Sequence, residues 1–193
     1  MRYLVWILLL VLPSVSSGYS PPATDLLGKM EAAWQRMKPV QIQVVLETAD
    51  GRLLEESVVS VPLRIEPESF HRRDILKTGY LPFAYLTSNS DILNQLLPSL
   101  HRNDTKVRLA RIDDTICFVV EGSDSRLWLR KDDLFPLRSE IRMDNGQWVT
   151  CRYLDPVQVS EKVAYPGRTE VFQEREPILT ERLIEQQPEP FSQ

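Results

Sequence analysis

The chain has 193 residues, a formal net charge of −4 at pH 7 and two cysteines. This length suits one domain, which can bury most of its apolar surface in a single core. The 23 Lys and Arg residues are spread through both halves without forming a basic stripe, so we expect no nucleic-acid partner.

The N-terminus has the pattern of a secretion signal. Arg2 precedes an unbroken apolar run from Tyr3 to Leu12, and small residues follow over 14–18. We predict that residues 1–18 are cleaved and that the protein is exported from the cytoplasm. The alternative is an uncleaved membrane anchor, but ten apolar residues rise only about 15 Å as a helix, half the thickness of a hydrocarbon core of about 30 Å. No cysteine directly follows the run, so we expect no lipid anchor.

The first predicted element of the mature chain is a helix. It begins at Thr24 or Asp25, either of which can cap it, and runs to about Met37, since Pro39 cannot continue it. Its apolar residues form a wide stripe, Leu26, Leu27, Met30, Ala33, Trp34 and Met37. The stripe fits a wall of a binding pocket, and it equally fits an ordinary core helix.

Two strands are predicted next, over 41–48 and 52–63. Their residues alternate between apolar and polar, and Asp50-Gly51 between them favours a tight hairpin. The apolar positions expected to share one face are Ile42, Val44, Leu46, Val59, Val61 and Leu63. A third, more polar extended segment is predicted over 68–76.

The strand pattern lapses over 77–104. Gly79–Leu86 is an apolar segment interrupted by Pro82, and Ser88 then opens a second helix with Asp91 at capping-box spacing. The apolar stripe of this helix is Ile92, Leu93, Leu96, Leu97 and Leu100. This leucine-rich region is a candidate lid.

From residue 106 onward the sequence predicts successive strands. They cover 106–112, 115–121, 126–131, 136–143, 147–154, 168–174 and 178–186, and a Pro-rich tail follows at 188–193. Leu137 and Ile141 alternate with Arg138 and Glu140, which is typical of an antiparallel sheet with one apolar face. We therefore predict an α+β fold, a curved antiparallel sheet forming an open half-barrel with two or three helices covering its concave face.

Cys117 and Cys151 leave two alternatives open. Export to an oxidising compartment favours a disulfide. The predicted strand order, however, places two strands between them, and a disulfide requires Cα atoms within about 7 Å. We expect two separate, buried thiols.

The sequence offers little support for catalysis. His71 lies on a polar strand, and His101 ends a helix, where a cation suits the helix dipole. The acid pair Asp113-Asp114 lies at a predicted hairpin turn, where Asp is common for backbone reasons. No metal-ligand spacing, phosphate-binding loop or nucleophile elbow is present in the sequence. We predict no enzymatic activity, no cofactor and no metal site.

The segment Arg126–Arg138 carries a family resemblance. It is similar to the strand, charged turn, Pro-Leu-Arg and strand passage of the periplasmic outer-membrane lipoprotein carriers, the LolA/LolB-like proteins. Val107–Ile112 and Cys117–Gly122 resemble the hairpin that precedes it, and Ile178–Glu185 resembles the final strand. With the first helix and the mid-chain helical insertion, the resemblance extends over the predicted domain, residues 19–187.

The resemblance implies a non-catalytic carrier that holds lipid or lipoprotein acyl chains beneath a helical lid. Such a carrier receives its cargo from an inner-membrane donor and delivers it to an outer-membrane acceptor. The expected pocket and lid residues are Met30, Trp34, Ile42, Val44, Leu46, Val59, Val61, Leu81, Phe83, Leu93, Leu96, Leu97, Leu137 and Ile141. Two alternatives remain: a filled core without a cavity, and a sensing or protein-interaction module on the same scaffold that binds a membrane or envelope protein.

Overall fold

The computed structural model describes residues 20–64, 82–88, 90–161 and 163–188. The helices are α1 (Ala23–Gln35), α2 (Phe83–Leu86) and α3 (Ser90–Leu96), with a 3₁₀ helix at Pro98–His101. The strands are β1 (Val40–Thr48), β2 (Leu53–Val61), β3 (Lys106–Ile112), β4 (Thr115–Glu121), β5 (Ser125–Arg130), β6 (Pro136–Arg142), β7 (Trp148–Ser160), β8 (Val163–Gln173) and β9 (Glu176–Pro188). The predicted secretion signal, the extended segment 68–76, His71 and Leu81 lie outside the described residues.

The strands of the described residues form one antiparallel sheet with the order β2-β1-β9-β8-β7-β6-β5-β4-β3. Each neighbouring pair is antiparallel, and β2 and β3 are the two edges, so the sheet is not closed. Sequential strands from β3 to β9 lie side by side, while β9 brings the C-terminal part of the sheet against β1. The predicted open antiparallel sheet is confirmed.

The two faces of the sheet differ in what they contact. We call the inner face the one whose side chains share a buried cluster with the helices; Leu127 and Val171 of the sheet belong to this cluster together with Leu26 and Met30 of α1 and Leu96 of α3. The opposite, outer face has its own smaller buried cluster, Cys117, Val119 and Trp128. The core therefore lies between the helices and the inner face.

Both predicted helix caps differ from the observed ones. α1 begins at Ala23, and its N-cap is Pro22, with φ −55° and no side-chain cap hydrogen bond. The fixed φ of proline suits a helix start, so the chain turns into the helix before Thr24 or Asp25 can cap it. Ser88 does not open a helix either, because its hydroxyl donates back to the Tyr85 carbonyl at 2.5 Å at the end of α2.

The hairpin of β7 and β8 is longer than predicted. Pro156 pairs with Pro166, and these prolines hide the strand pattern in the sequence. They are tolerated because β6 pairs with β7 only as far as Arg152, and β9 pairs with β8 only from Arg168 onward. Both prolines thus lie beyond the outer neighbours of the hairpin, where fewer ladder hydrogen bonds require their missing N–H groups.

The 3₁₀ helix packs tightly against the turn between β4 and β5. A Cβ on Gly122 would lie 2.2 Å from Ser99 Oγ, so only glycine permits this approach. Ser99 Oγ and Ser125 Oγ are hydrogen-bonded at 2.6 Å and buried, and Thr105 Oγ1 donates to the Ser99 carbonyl at 2.8 Å. These contacts join the end of the helical region to the sheet.

Cys117 and Cys151 are free thiols, and both are buried. They lie on β4 and β7, which are separated by β5 and β6, as expected. Cys151 belongs to the inner cluster and Cys117 to the outer one, so the thiols also lie on opposite faces.

No helix in the described part of the chain is long and apolar enough to cross a membrane.

Candidate functional site

The short helix α2 inserts an aromatic ring between α1 and the sheet. The Phe83 ring is fully buried, and its centroid lies 5.5 Å from that of Trp34 on α1. It lies 5.0 Å from Tyr153 on β7 and from Tyr165 on β8, in edge-to-face geometry. A tilted contact with Phe135 at 5.6 Å completes the cluster. Such ring pairs stabilise a core beyond their buried area, so Phe83 holds α2 against the inner face.

The space beside this cluster is nearly filled. Between α1, the turn after β5 and the start of β8, a cavity of about 20 Å³ is lined by Met30, Trp34, Phe135 and Val163 among others. This volume holds about one water molecule. In the conformation described, α2 therefore occupies the space where the sequence predicts a pocket.

Thr87 ties α2 to two other parts of the chain. Its buried hydroxyl donates to the Ala84 carbonyl at 2.6 Å and accepts from the Leu63 amide, just after β2, at 3.0 Å. Its carbonyl accepts from the Gln35 side chain, at the end of α1, at 3.3 Å. Two hydrogen bonds of ordinary strength therefore connect α2 to β2 and α1, a modest contribution to holding it in place.

A group of polar side chains lies on the inner face of the sheet, and two of them contact Phe83 of α2. Tyr153 pairs in register with Thr169, and Thr169 with Glu181, so these three side chains share one face of β7, β8 and β9. Tyr153 shares a buried hydrogen bond of 2.7 Å with Ser139 on β6. Tyr165 lies on the same face of β8, with its ring against Phe83. We call these five residues the inner polar group.

Burial is the main influence on the two tyrosines. It raises the pKa of Tyr165 well above its usual range, and the nearby charge of Glu181 raises that pKa further. Burial likewise raises the pKa of Tyr153 well above its usual range, and the hydrogen bond between Tyr153 and Ser139 offsets only part of this effect. Both phenols are neutral hydrogen-bonding groups across the physiological pH range.

The structure brings most of the predicted pocket residues into the one inner cluster. Those that are buried are Met30, Trp34, Ile42, Val44, Val61, Phe83, Leu93, Leu96, Leu97 and Ile141. Val59 and Leu137 are partly buried against this cluster, and Leu46 is intermediate in exposure. Whether these residues contact a ligand stays a prediction.

Sequence reasoning missed the inner polar group and Phe135. Tyr165, Thr169 and Val171 occupy alternate positions on one face of β8, which is a strand signal that Pro166 and Gly167 obscure. Gly167 is needed because a Cβ there would lie 2.7 Å from the Asp155 carbonyl oxygen, and Asp155 itself has φ +52°. The alternation of β8 was therefore available in the sequence, but the local backbone distortion was not.

The outer face carries arginines stacked on aromatic rings. Arg138 lies 4.8 Å above Trp128, Arg126 lies 4.9 Å above Trp148, and Arg152 lies 4.7 Å above Phe172. Glu140 bridges Arg126 and Arg138. These stacks support the expectation that Trp128 and Trp148 are packing residues, and they account for arginines on the outer face without a ligand.

Other polar groups offer little chemistry. His101 is half-buried, and this burial lowers its pKa, although the charge of Glu31 acts in the opposite direction. This shift favours the neutral imidazole over the cation that the position at a helix end suggested. Within the described ranges, no group of three or more His, Cys, Asp or Glu side chains is arranged to hold a metal ion.

Comparison with solved structures identifies the fold. A LolA superfamily protein from Nitrosomonas europaea superposes with a TM-score of 0.51 at 12% identity, over 89% of this chain and 96% of that one. A putative outer membrane lipoprotein-sorting protein domain from Vibrio parahaemolyticus gives 0.55 at 11% identity, over 88% and 93%. A DUF1329 family protein from Desulfovibrio piger gives 0.57 at 11% identity, over 90% and 96%.

The chain therefore has a LolA-like fold, and the resemblance noted in the sequence is confirmed at the level of the fold. No family model and no curated protein matches the sequence. At 11–12% identity, the solved structures define the architecture of this chain and leave its ligand to be argued from its own residues.

Proposed function

We propose that the protein is a soluble periplasmic carrier that binds lipid or lipoprotein acyl chains inside its half-barrel for transfer to the outer membrane. The observation that carries the proposal is the insertion of α2, with Phe83, into the apolar interior. A separate short helix, rather than the sheet itself, fills the space. An acyl chain can take this space if α2 withdraws.

In this proposal, α1 covers the concave face of the half-barrel as a fixed wall, and α2 and α3 together form the movable lid. The pocket is lined by the buried residues predicted from the sequence, with Leu46, Val59 and Leu137 at its margin. Leu81, which precedes α2, is part of the same proposed lid. Binding is non-catalytic and requires no cofactor.

The free energy needed to expose the lid side chains is similar to the free energy gained when an acyl chain takes their place. Burial of a Phe or Leu side chain contributes about 1.5–3 kcal/mol, so exposing the five lid side chains Phe83, Leu86, Leu93, Leu96 and Leu97 costs about 8–15 kcal/mol. A chain of sixteen carbons regains about 12 kcal/mol at about 0.8 kcal/mol per methylene. One acyl chain thus nearly balances a fully opened lid, and two or three chains favour the open state. This near balance suits a carrier that must also release its cargo.

The proposed route begins with cleavage of residues 1–18 and folding of residues 19–187 in the periplasm. An inner-membrane donor supplies the cargo, and an outer-membrane acceptor receives it. A carrier of this kind needs a mature form without a membrane anchor.

Ligand content and uptake test the proposal directly. Native mass spectrometry of the purified protein is expected to show bound lipid, and a fluorescent fatty acid is expected to bind after delipidation. Leu96→Asp or Leu97→Asp places a charge among buried lid residues, and we expect at least a tenfold loss of uptake. Leu54→Asp is the matched control, because Leu54 is 47% exposed on the edge strand β2.

Circular dichroism and thermal unfolding show whether each variant is folded. A folded wild-type protein that contains no lipid and takes up no fatty acid contradicts the carrier proposal. Equal loss of uptake in the Leu54→Asp control contradicts the assignment of the pocket to the interior.

A second candidate function is a sensing or protein-interaction module on the same scaffold, and one observation favours it. The interior is nearly filled, whereas the outer face has an open cleft of about 280 Å³ lined by Ile112, Leu137, Arg138, Arg152 and Glu170 among others. Apolar and arginine side chains together are common in protein interfaces. Such a module is expected to copurify with an envelope protein and to retain that partner in a folded Leu96→Asp variant.

A further inference from the structure

A narrow cleft lies along the boundary between α1 and α3, which we call the seam. The cleft has a volume of about 140 Å³, and α3 contributes Leu93 and Asn94 to its lining. The residues that α1 contributes are Thr24, Leu27, Gly28 and Glu31. Their spacing of three, four and seven positions places them on one face of α1, over a length of about 10 Å. The cleft therefore follows the seam for about two helical turns.

The buried residues of this cleft belong to the apolar interior. Leu27 is 3% exposed and Leu93 is 2% exposed, and both are members of the inner cluster that joins the helices to the sheet. The rim is polar, because Thr24 and Asn94 are exposed and Glu31 is half-buried. The cleft therefore leads from solvent to side chains of the interior without crossing a strand.

Two larger clefts in the described part of the chain have a different character. One, of about 280 Å³, is the cleft on the outer face of the sheet. The other, of about 350 Å³, lies beside the turn between β4 and β5, and its lining consists of charged and polar side chains and Gly122. An apolar chain finds a floor of buried leucines in the smaller cleft at the seam.

Gly28 leaves the middle of the cleft open. A Cβ at this position would meet no atom within 4 Å, and the residue lies inside the regular helix α1, so neither close packing nor the backbone conformation requires glycine. Glycine in the interior of a helix is unfavourable compared with alanine. A residue that weakens its helix and is required by no contact suggests a use for the space beside it.

We propose that acyl chains enter and leave the interior through the seam, passing Gly28 between α1 and α3. This inference rests on the proposed function, in which α1 is the fixed wall and α3 moves with the lid. A shift of α3 away from α1 widens a cleft that already exists, with a buried leucine on each side. The polar rim suits an amphiphilic cargo, because its headgroup stays hydrated while the chain passes over Leu27 and Leu93.

A residue on the route is distinguished from a residue of the pocket by kinetics. Entry and exit cross the same barrier, so a side chain that narrows the seam without touching the bound chain lowers both rate constants by the same factor. The ratio of the two rate constants, which is Kd, then stays the same. A substitution in the pocket itself changes Kd instead.

Gly28→Leu fills the cleft and tests the route. Stopped-flow fluorescence follows the binding of a fluorescent fatty acid to the purified protein, and displacement by excess oleate follows its release. We expect both rate constants to fall about tenfold, with Kd within about twofold of the wild-type value. Asn94→Trp narrows the seam from the α3 side and is expected to slow entry and exit in the same way.

Gly28→Ala and Lys29→Leu are the matched controls. Gly28→Ala gives α1 a similar gain in helix propensity with little added volume, so it separates a narrowed seam from a more stable helix. Lys29→Leu adds a leucine at the next position of α1, which is exposed and does not line the cleft. Both controls are expected to keep the wild-type rate constants, and thermal unfolding shows that every variant is folded.

The outcomes separate this inference from the proposal on which it rests. If the wild-type protein binds no fatty acid, the carrier proposal fails and the route fails with it. If the wild type binds and both Gly28→Leu and Asn94→Trp exchange at wild-type rates, acyl binding stands and the route through the seam is wrong. Equal slowing in Gly28→Ala or Lys29→Leu overturns the inference as well, because the cleft stays open in both.

Discussion

Gly28 and Gly122 show how much the surroundings of a single residue decide. A Cβ on Gly28 would meet no atom within 4 Å, although the residue lies in the middle of α1. A Cβ on Gly122 would overlap Ser99 in the 3₁₀ helix, where the hydroxyl is already hydrogen-bonded to Ser125. The same residue type is thus dispensable for the fold at one position and required for it at the other.

Opposite effects on stability are expected from the same substitution at these positions. Gly28→Ala raises the free energy of unfolding by about 0.5–1 kcal/mol, because glycine is a poor helix residue and the added methyl group meets open space. Gly122→Ala lowers it by about 1–3 kcal/mol, because the 3₁₀ helix must shift away from the sheet. Urea denaturation of both variants measures the difference, and a neutral Gly122→Ala would contradict the described contact.

His101 makes stability depend on pH in a predictable direction. Burial lowers its pKa in the folded protein, so the unfolded chain binds a proton more readily. The contribution of neutral His101 to the free energy of unfolding is fully present above the pKa of the unfolded chain, about 6.5. It is lost as the pH falls from there through the pKa of the folded protein. We expect Tm to fall between pH 7 and pH 5, and His101→Gln to make this fall shallower. An identical slope in His101→Gln would show that another group is responsible.

At the level of elements, α2 is four residues long and still occupies the centre of the core. Its position depends on the Phe83 ring contacts and on the hydrogen bonds of Thr87 to Leu63, just after β2, and to Gln35, at the end of α1. An isolated helix of this length is not stable in water, so tertiary contacts alone hold it. The proposed function requires this element to leave the core while the sheet stays folded.

A reversible crosslink tests whether α2 has to move. The 3.0 Å hydrogen bond from the Leu63 amide to Thr87 Oγ1 places the two Cα atoms within about 7 Å, which a disulfide can span. In the double variant Leu63→Cys/Thr87→Cys, oxidation is expected to abolish uptake of the fluorescent fatty acid, and reduction to restore it. Mass spectrometry confirms that the bond has formed, and undiminished uptake by the fully crosslinked protein would show that α2 need not withdraw.

The β7–β8 hairpin shows where element prediction from sequence fails. The strands β3 and β4 were predicted with their observed bounds, because neither contains proline and their alternation is undisturbed. In β7 and β8, Pro156 and Pro166 face each other, which neither proline reveals on its own. Because the two prolines pair with each other, fewer hydrogen bonds of the sheet require the N–H groups that they lack.

For the whole molecule, the fold could be predicted from the sequence because most strands form one open antiparallel sheet in the order of the chain. Sequential strands from β3 to β9 pair with their neighbours, so hairpin signals in the sequence translate directly into neighbours in the sheet. The pairing of β1 with β9 joins residues more than a hundred positions apart and has no local signal. This pairing depends on burial of the inner face of the sheet against the helices.

The sequence by itself determined the class of fold, the apolar faces of most strands and most of the residues of the core. These follow from periodicities of two and 3.6 residues, which neighbouring positions carry. Tertiary structure alone decided that Phe83 fills the interior, that Gly122 is indispensable and that Tyr165 and Thr169 lie buried on the inner face of the sheet. Each of these depends on which distant segments meet, and the energy of a contact or of a missing hydrogen bond exists only once they do.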